Sequence, residues 1–260
     1  MPEDAMPRPA RGAEPPDPEK TALAEAIFQH VFGGFGDSCD IRKMARLVSG
    51  YESARYYMEH MDGATLLNNT RQFYKWSLQQ RRIRGLALEF GVASGRTLTT
   101  IAQASPDQTV YGFDSFKGLP EAWKFGRGEG AFARSTPPPV PANAELVIGW
   151  FSETLPGFVA AHPEPVSYLH VDCDLYSSTM DILRHLGPHI GPGTLVAFNE
   201  YFNYPGWRNH EHKAWLEWVR ASGATYRYIG CQAQHQQVAV VVESNPTFAF
   251  ADKLQPYPQG

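Results

Sequence analysis

Cysteine is scarce in this sequence. The three that occur among 260 residues, Cys39, Cys173 and Cys231, are odd in number, far apart and without a C-x-x-C pair. They indicate neither a disulfide framework nor a zinc cluster, and a reducing cytoplasm is the expected compartment. Long apolar runs are lacking too: Val238 to Val242 falls far short of the roughly 18 residues of a membrane-spanning helix, so no membrane partner is expected. Charge is sparse, with 23 Lys and Arg against 27 Asp and Glu for a net −4. No basic field gathers phosphates, which argues against a nucleic-acid partner. The 23 glycines and 21 prolines remain below the roughly 25–30% of a generally disordered chain. A soluble globular protein is predicted, for which a homo-oligomer is allowed.

The prolines concentrate at positions 2, 7, 9, 15, 16 and 18 among charged residues, with no apolar signal segment. Residues 1–18 therefore read as a flexible tail. Residues 19–84 show helical spacing without strand alternation, as in Leu66, Phe73 and Trp76, and predict an α-helical N-terminal cap. Over residues 85–260 the rhythm changes to short apolar runs separated by longer mixed stretches: Leu86 to Phe90, Thr109 to Phe113, Glu145 to Ile148, Val166 to Val171 and Thr194 to Phe198. This is the pattern of βαβ units. Two later runs, Thr225 to Ile229 and Gln237 to Val242, lie too close together for a crossover helix and predict an antiparallel hairpin. Five parallel strands followed by such a hairpin is, by analogy of fold, the Rossmann-like α/β layout of class I methyltransferases. The Gly- and Pro-rich residues 121–143 predict a functional lid or a disordered insertion. Arg81, Arg82 and Arg84 read as a solvated helix end in preference to a phosphate patch.

The first predicted strand ends in Glu89-Phe90-Gly91-Val92-Ala93-Ser94-Gly95-Arg96-Thr97, where glycines let backbone approach a ligand at a helix N-terminus. The spacing misses a phosphate-binding P-loop, which needs four residues between its glycines and then lysine, and misses the G-x-G-x-x-G of a dinucleotide site. S-adenosylmethionine remains. Its amino-acid end carries an ammonium that Glu89 would serve, beside the turn residues Gly91, Ala93, Ser94 and Gly95. Nineteen residues after Gly95, at the end of the second strand, Asp114 stands where open α/β sheets place a ribose-binding carboxylate, with Ser115 following. A tight turn and a capping aspartate would be the plainer explanation of either motif alone.

Four blocks together, Glu89 to Gly95, Phe113 to Pro120, Gly149 to Pro156 and His170 to Tyr176, resemble the macrocin O-methyltransferase (TylF-type) family over roughly residues 85–220. The resemblance implies transfer of a methyl group from S-adenosylmethionine to a sugar hydroxyl of a bacterial natural product, commonly with Mg²⁺. It implies that Gly149, Trp150 and Phe151 flank the adenine. The acceptor would be a small glycoside or a nucleotide sugar.

Strand alternation points Asp172 and Asp174 to one side with Cys173 opposite. The next strand ends in Asn199-Glu200, at the edge where ligands of open α/β folds bind. Hard oxygen donors of this kind suit Mg²⁺ or Ca²⁺ over zinc. By resemblance, Asp172, Asn199 and Glu200 take the metal positions, with Asp172 also counted among the cofactor contacts, and Asp174 is the general base. Asn199 departs from the two acidic residues usual there. His210 is the competing base, since imidazole titrates near neutrality, although with His212 it also reads as the start of the helix bearing Trp215 and Trp218. A catechol-type phenol methyltransferase and a non-catalytic cofactor-binding partner are the alternative functions.

Overall fold

The computed structural model describes residues 18–34, 38–124 and 126–258. Residues 1–17, which hold most of the expected tail, lie outside them. The chain divides into two compact units, Met1–Val48 and Ser49–Gly260. The first contains α1 (Pro18–Phe32), whose Leu23, Ile27, Phe28 and Val31 are exposed, and the beginning of α2 (Ile41–His60).

The second unit is built on one sheet. Its elements run β1 (Thr65–Leu67), α3 (Thr70–Gln79), β2 (Leu86–Phe90), α4 (Arg96–Gln103), β3 (Val110–Asp114), β4 (Ala144–Ile148), α5 (Phe151–Ala161), β5 (Val166–Val171), α6 (Tyr176–Leu186), β6 (Leu195–Phe198), α7 (Glu211–Ser222), β7 (Thr225–Gln232) and β8 (Val238–Ser244). The strand order is β1-β7-β8-β6-β5-β2-β3-β4. Strands β2 to β6 are mutually parallel, and β8 runs antiparallel to both β6 and β7, as the spacing of the runs predicts. Helical patterning across 19–84 conceals one short element: β1 pairs in parallel with the far end of β7, Thr65 facing Gly230. Three residues are too few to display a period of two against the helices around them.

Central strands buried on both faces need continuous apolar sequence. β5 and β6 are buried at every position, and β2 is too, although it carries Glu89. Apolar side chains fill both sides of the sheet: Leu88, Phe90, Phe113 and Val171 belong to one cluster, Ala87, Leu98, Val110 and Tyr168 to the other. Helix α3 joins the second through Phe73, Tyr74 and Leu78, and its N-terminus is capped by Asn69, whose side chain accepts from the Gln72 N–H at 2.8 Å.

Arg81 is buried, and it is not a solvated helix end. Its guanidinium donates to Leu78 O, Ser105 Oγ and Ala104 O, and it stacks 4.2 Å from the Tyr257 ring centre. After β2 the chain winds to β3 and β4 on one side, while β5 and β6 build out on the other. The carboxyl ends of β2 and β5 are therefore the switch point where open sheets form a crevice.

Candidate active site

A cleft of about 820 Å³ opens at that switch point, within the size range of small-molecule sites. Its floor begins at Gly91. The φ of Gly91 is 97°, and a Cβ there would stand 1.7 Å from the carbonyl oxygen of Asp172. Only glycine lets the β2 turn lie this close to the end of β5. Gly95 follows with φ 75° at the N-cap of α4, a left-handed conformation that also favours glycine.

Asp114 binds this turn to its own loop. One carboxylate oxygen accepts from the Ala93 N–H at 2.8 Å, the other from the Phe116 N–H at 2.7 Å. Ala93, Ser94, Asp114 and Ser115 line the cleft, as do Trp150 and Phe151. Gly95 and Gly149 do not line it themselves and act through the turns they permit.

Glu89 stands elsewhere than expected. It is fully buried and forms no part of the cleft wall, because strand parity turns its side chain toward α3. There one carboxyl oxygen lies 3.0 Å from His170 Nδ1, on the neighbouring strand. Burial raises the Glu89 carboxyl well above its usual range and lowers His170 to about 4, so this is a neutral hydrogen-bonded pair instead of an ion pair. His170 Nε2 lies 3.1 Å from the Tyr74 hydroxyl, which donates to Asn199 Oδ1 at 2.5 Å.

Four acids meet at one end of the cleft. Asp172, Asp174 and Glu200 line the cleft, and Glu211 lies fully buried behind them. Glu211 accepts from the backbone N–H groups of Glu200, at 3.0 Å, and of Asp174. Burial pushes Asp172 and Asp174 up to about 7 and raises Glu200 and Glu211 well above the usual carboxylate range. Lys124 and Arg127, from the loop after β3, pull Asp174 back toward its ionised form. Asp174 also has a φ of 65°, a strained conformation of the kind that clusters at functional sites.

The long loop, read from the sequence as a lid or a disordered insertion, contributes Trp123, Lys124, Arg127 and Phe132 to the outer wall. Lys124 Nζ lies 3.4 Å from the Trp123 ring centre and 4.8 Å from that of Tyr204. Glu121 accepts from Ser177 Oγ on α6 at 2.6 Å, joining the loop to the opposite wall.

His210 occupies the N-cap position of α7 and is half-buried against Trp123 and Tyr204, outside the cleft wall. His212 is enclosed by the rings of Tyr56, Tyr201 and Trp207. Sequence reasoning missed Glu211, Lys124, Tyr74 and Gln237. One signal was available for Glu211: with Ala214, Trp215 and Trp218 it sits at i, i+3, i+4 and i+7, an acid on the packed face of a helix.

Residues 88–201 match a family model described as a methyltransferase domain. Over 53 residues, 20% of the chain, it is 42% identical to a tetracenomycin rhamnosyl 4'-O-methyltransferase of Streptomyces olivaceus, covering 19% of that protein. Over 118 residues, 38% of the chain, it is 30% identical to demethyldecarbamoylnovobiocin O-methyltransferase of Streptomyces niveus, covering 44% of it. The chain thus spans less than half the length of these curated relatives. In structure it resembles calicheamicin methyltransferase CalS11, with a TM-score of 0.54 and 19% identity over 92% of this chain and 98% of that one. That likeness establishes the Rossmann-like class I methyltransferase fold.

Proposed function

We propose that this protein transfers the methyl group of S-adenosylmethionine to a sugar hydroxyl of a small molecule in natural-product biosynthesis. The observation that carries the reading is the pairing, across one cleft, of a glycine turn braced by Asp114 with the buried acids Asp172, Asp174 and Glu200. Asp114 keeps lone pairs for ribose hydroxyls beyond the two backbone N–H groups it accepts. Trp150 and Phe151 supply flat apolar surface for the adenine. Similar proteins named for methylating rhamnosyl and mycinamicin substrates support a sugar acceptor, and the indole of Trp123 offers it a stacking face.

In the reaction the acceptor oxygen attacks the sulfonium methyl carbon. The carbon–sulfur bond breaks, its electron pair stays on sulfur, and S-adenosylhomocysteine leaves as a neutral thioether. The hydroxyl proton passes to Asp174, whose pKa near 7 suits a general base at neutral pH. Transfer would require the walls to hold oxygen and methyl in line, roughly 3–3.5 Å apart. Mg²⁺ at Asp172, Asn199 and Glu200 would require an oxygen from each. Asn199 directs its N–H groups, and not its oxygen, at the two carboxylates, so the trio as arranged does not fit a divalent cation and no step passes through one. Three free thiols suit a reducing cytoplasm.

Incubation with methyl-labelled S-adenosylmethionine and a panel of nucleotide sugars, glycosylated aglycones and catechols tests the proposal. Label transferred to a sugar hydroxyl is expected. Transfer confined to the catechols would assign the phenol reaction, and cofactor binding with no transfer to any acceptor would leave a binding partner without catalysis.

A further inference from the structure

The Asn199 side chain spends its entire hydrogen-bonding capacity inside the protein. Its amide N–H groups donate to Asp172 Oδ1 at 3.0 Å and to Glu200 Oε1 at 2.7 Å. Its oxygen accepts from the Tyr74 hydroxyl at 2.5 Å and from Gln237 Nε2 at 2.7 Å. A primary amide has two donors and two lone pairs, and all four are committed.

We propose that Asn199 is a bridge standing in for a divalent cation, not a ligand to one. Its two N–H groups join the carboxylates that a cation would otherwise join, while Tyr74 and Gln237 hold its oxygen turned away. The inference rests on reading this corner as the reaction site.

The sense of the amide is assigned from the network around it. Exchanging oxygen and nitrogen would set the amide N–H groups against the Tyr74 O–H and the Gln237 N–H, donor against donor. On that side a single run of donors reaches Asn199. The neutral Glu89 acid donates to His170 Nδ1, His170 Nε2–H to the Tyr74 oxygen, and the Tyr74 O–H to Asn199 Oδ1. Each link has one donor and one acceptor, and the run passes from Glu89 on β2 through His170 on β5 to Tyr74 on α3 before it reaches Asn199.

A second metal set does not rescue a cation nearby. Glu89, His170 and Asp172 bring ligand atoms within 4.8 Å of one another, yet both His170 nitrogens are already engaged by Glu89 and Tyr74. An amide supplies only partial positive charge, and formal positive charge reaches the corner from the outer loop, Lys124 acting on both Asp174 and Glu200 and Arg127 on Asp174.

Ligand and bridge predict opposite outcomes for one truncation. Mn²⁺ binding is measured by electron paramagnetic resonance on the full chain saturated with S-adenosylhomocysteine, for wild type, Asn199→Ala and Asn199→Asp. Removing a bridge frees carboxylate lone pairs, so Asn199→Ala should bind Mn²⁺ within about twofold of wild type or more tightly, whereas Asn199→Asp, by adding ligand charge, should tighten binding by about tenfold or more. Weakening by about threefold or more in Asn199→Ala would make Asn199 a ligand and overturn the proposal.

A measurement on wild type stands if the variants do not fold. The side-chain amide ¹⁵N resonances of Asn199 and Gln237 should keep their positions as Mg²⁺ is added, and saturable shifts in both would also overturn it. Failure of wild type to bind S-adenosylhomocysteine would remove the methyl-transfer reading, while these measurements report on the Asn199 side chain alone.

Discussion

Glu211 lies behind the cleft wall, yet it supports two acids that line it, Asp174 and Glu200. Its carboxyl accepts from the backbone N–H of Glu200 at 3.0 Å and from that of Asp174, tying the ends of β5 and β6 to the first turn of α7. Glu211→Ala strands both donors in the interior. An orphaned buried N–H costs about 1–3 kcal/mol, so the pair costs roughly 2–6 kcal/mol against a total stability of about 5–15 kcal/mol. Glu211→Gln behaves differently. Its amide oxygen can accept from the same two groups, and its NH₂ falls where Glu211 Oε1 has no partner, beside the carboxylates of the corner. Burial already favours the neutral form of Glu211, so little charge is lost and a change within about 1 kcal/mol is expected. Urea unfolding of the three proteins without ligand should order them wild type near Glu211→Gln, both well above Glu211→Ala. With released Asp174 and Glu200 backbones, Glu211→Ala should also lose kcat while keeping affinity for S-adenosylhomocysteine, whose proposed contacts lie on the β2 and β3 side of the cleft. Equal unfolding midpoints for Glu211→Ala and Glu211→Gln would refute the role assigned to this carboxyl.

Three further outcomes follow from the site. Asp114→Ala removes the acceptor of the Ala93 and Phe116 N–H groups and the expected ribose partner, and should weaken S-adenosylhomocysteine binding in calorimetry by about 1–3 kcal/mol; unchanged affinity would end the ribose assignment. Asp174→Asn should retain fold and cofactor binding but lower kcat by roughly 10²–10⁴, with His210→Ala far less damaging; the reverse order in steady-state kinetics would transfer the base to His210. The third is pH dependence. A base with a pKa raised to about 7 is active when ionised, so kcat should climb as pH rises through 7 and then level, and Lys124→Met should move that midpoint upward by removing a cation that favours the ionised form. The same raised pKa makes Asp174 a stabilising group at pH values below its unfolded value and removes that contribution as pH passes 7, so the melting temperature of the ligand-free protein should fall between pH 5 and 8.

Much of the frame was legible because its signals are local. Strands β2 to β8 appear as separate apolar runs, and the turn between β2 and α4 declares itself through Gly91 and Gly95. Asp172 and Asp174 follow from alternation at the end of β5. The misplaced residues depend instead on what lies across the fold. That Glu89 belongs to a buried pair is decided by His170, 81 residues away and level with it on the adjacent strand. Tyr74 looks like one more apolar contact of α3, since its helical spacing is the same whether its hydroxyl meets nothing or Asn199. Gln237 ends a turn and begins a strand, and only the antiparallel pairing of β8 with β6 brings it to Asn199. The Asn199-Glu200 pair was visible as an oxygen-rich strand end, but which atom of the amide faces the acids depends on partners contributed by α3 and β8.

The distribution of local cost separates this corner from the remainder of the sheet. Strands β2, β5 and β6 are otherwise filled by apolar side chains, with Phe90, Val171 and Phe198 fully buried. At their carboxyl ends the preferences reverse. Asp174 takes a positive φ, Glu200 Oε2 and Glu211 Oε1 are buried without partners, and carboxyls are held above their usual range by burial. Each of these features opposes folding, and they occur together within one wall of one cleft. The elements around them limit the cost: an amide bridge between Asp172 and Glu200, two backbone donors on Glu211, and Lys124 held over Trp123. A folded chain retains such a concentration where function requires it. In the proposed reaction a hydroxyl entering this wall would meet Asp174, an acid whose pKa near 7 lets it take a proton at neutral pH. The features that cost stability here are thus the ones the proposed reaction uses, while the apolar sheet beneath supplies the stability that permits them.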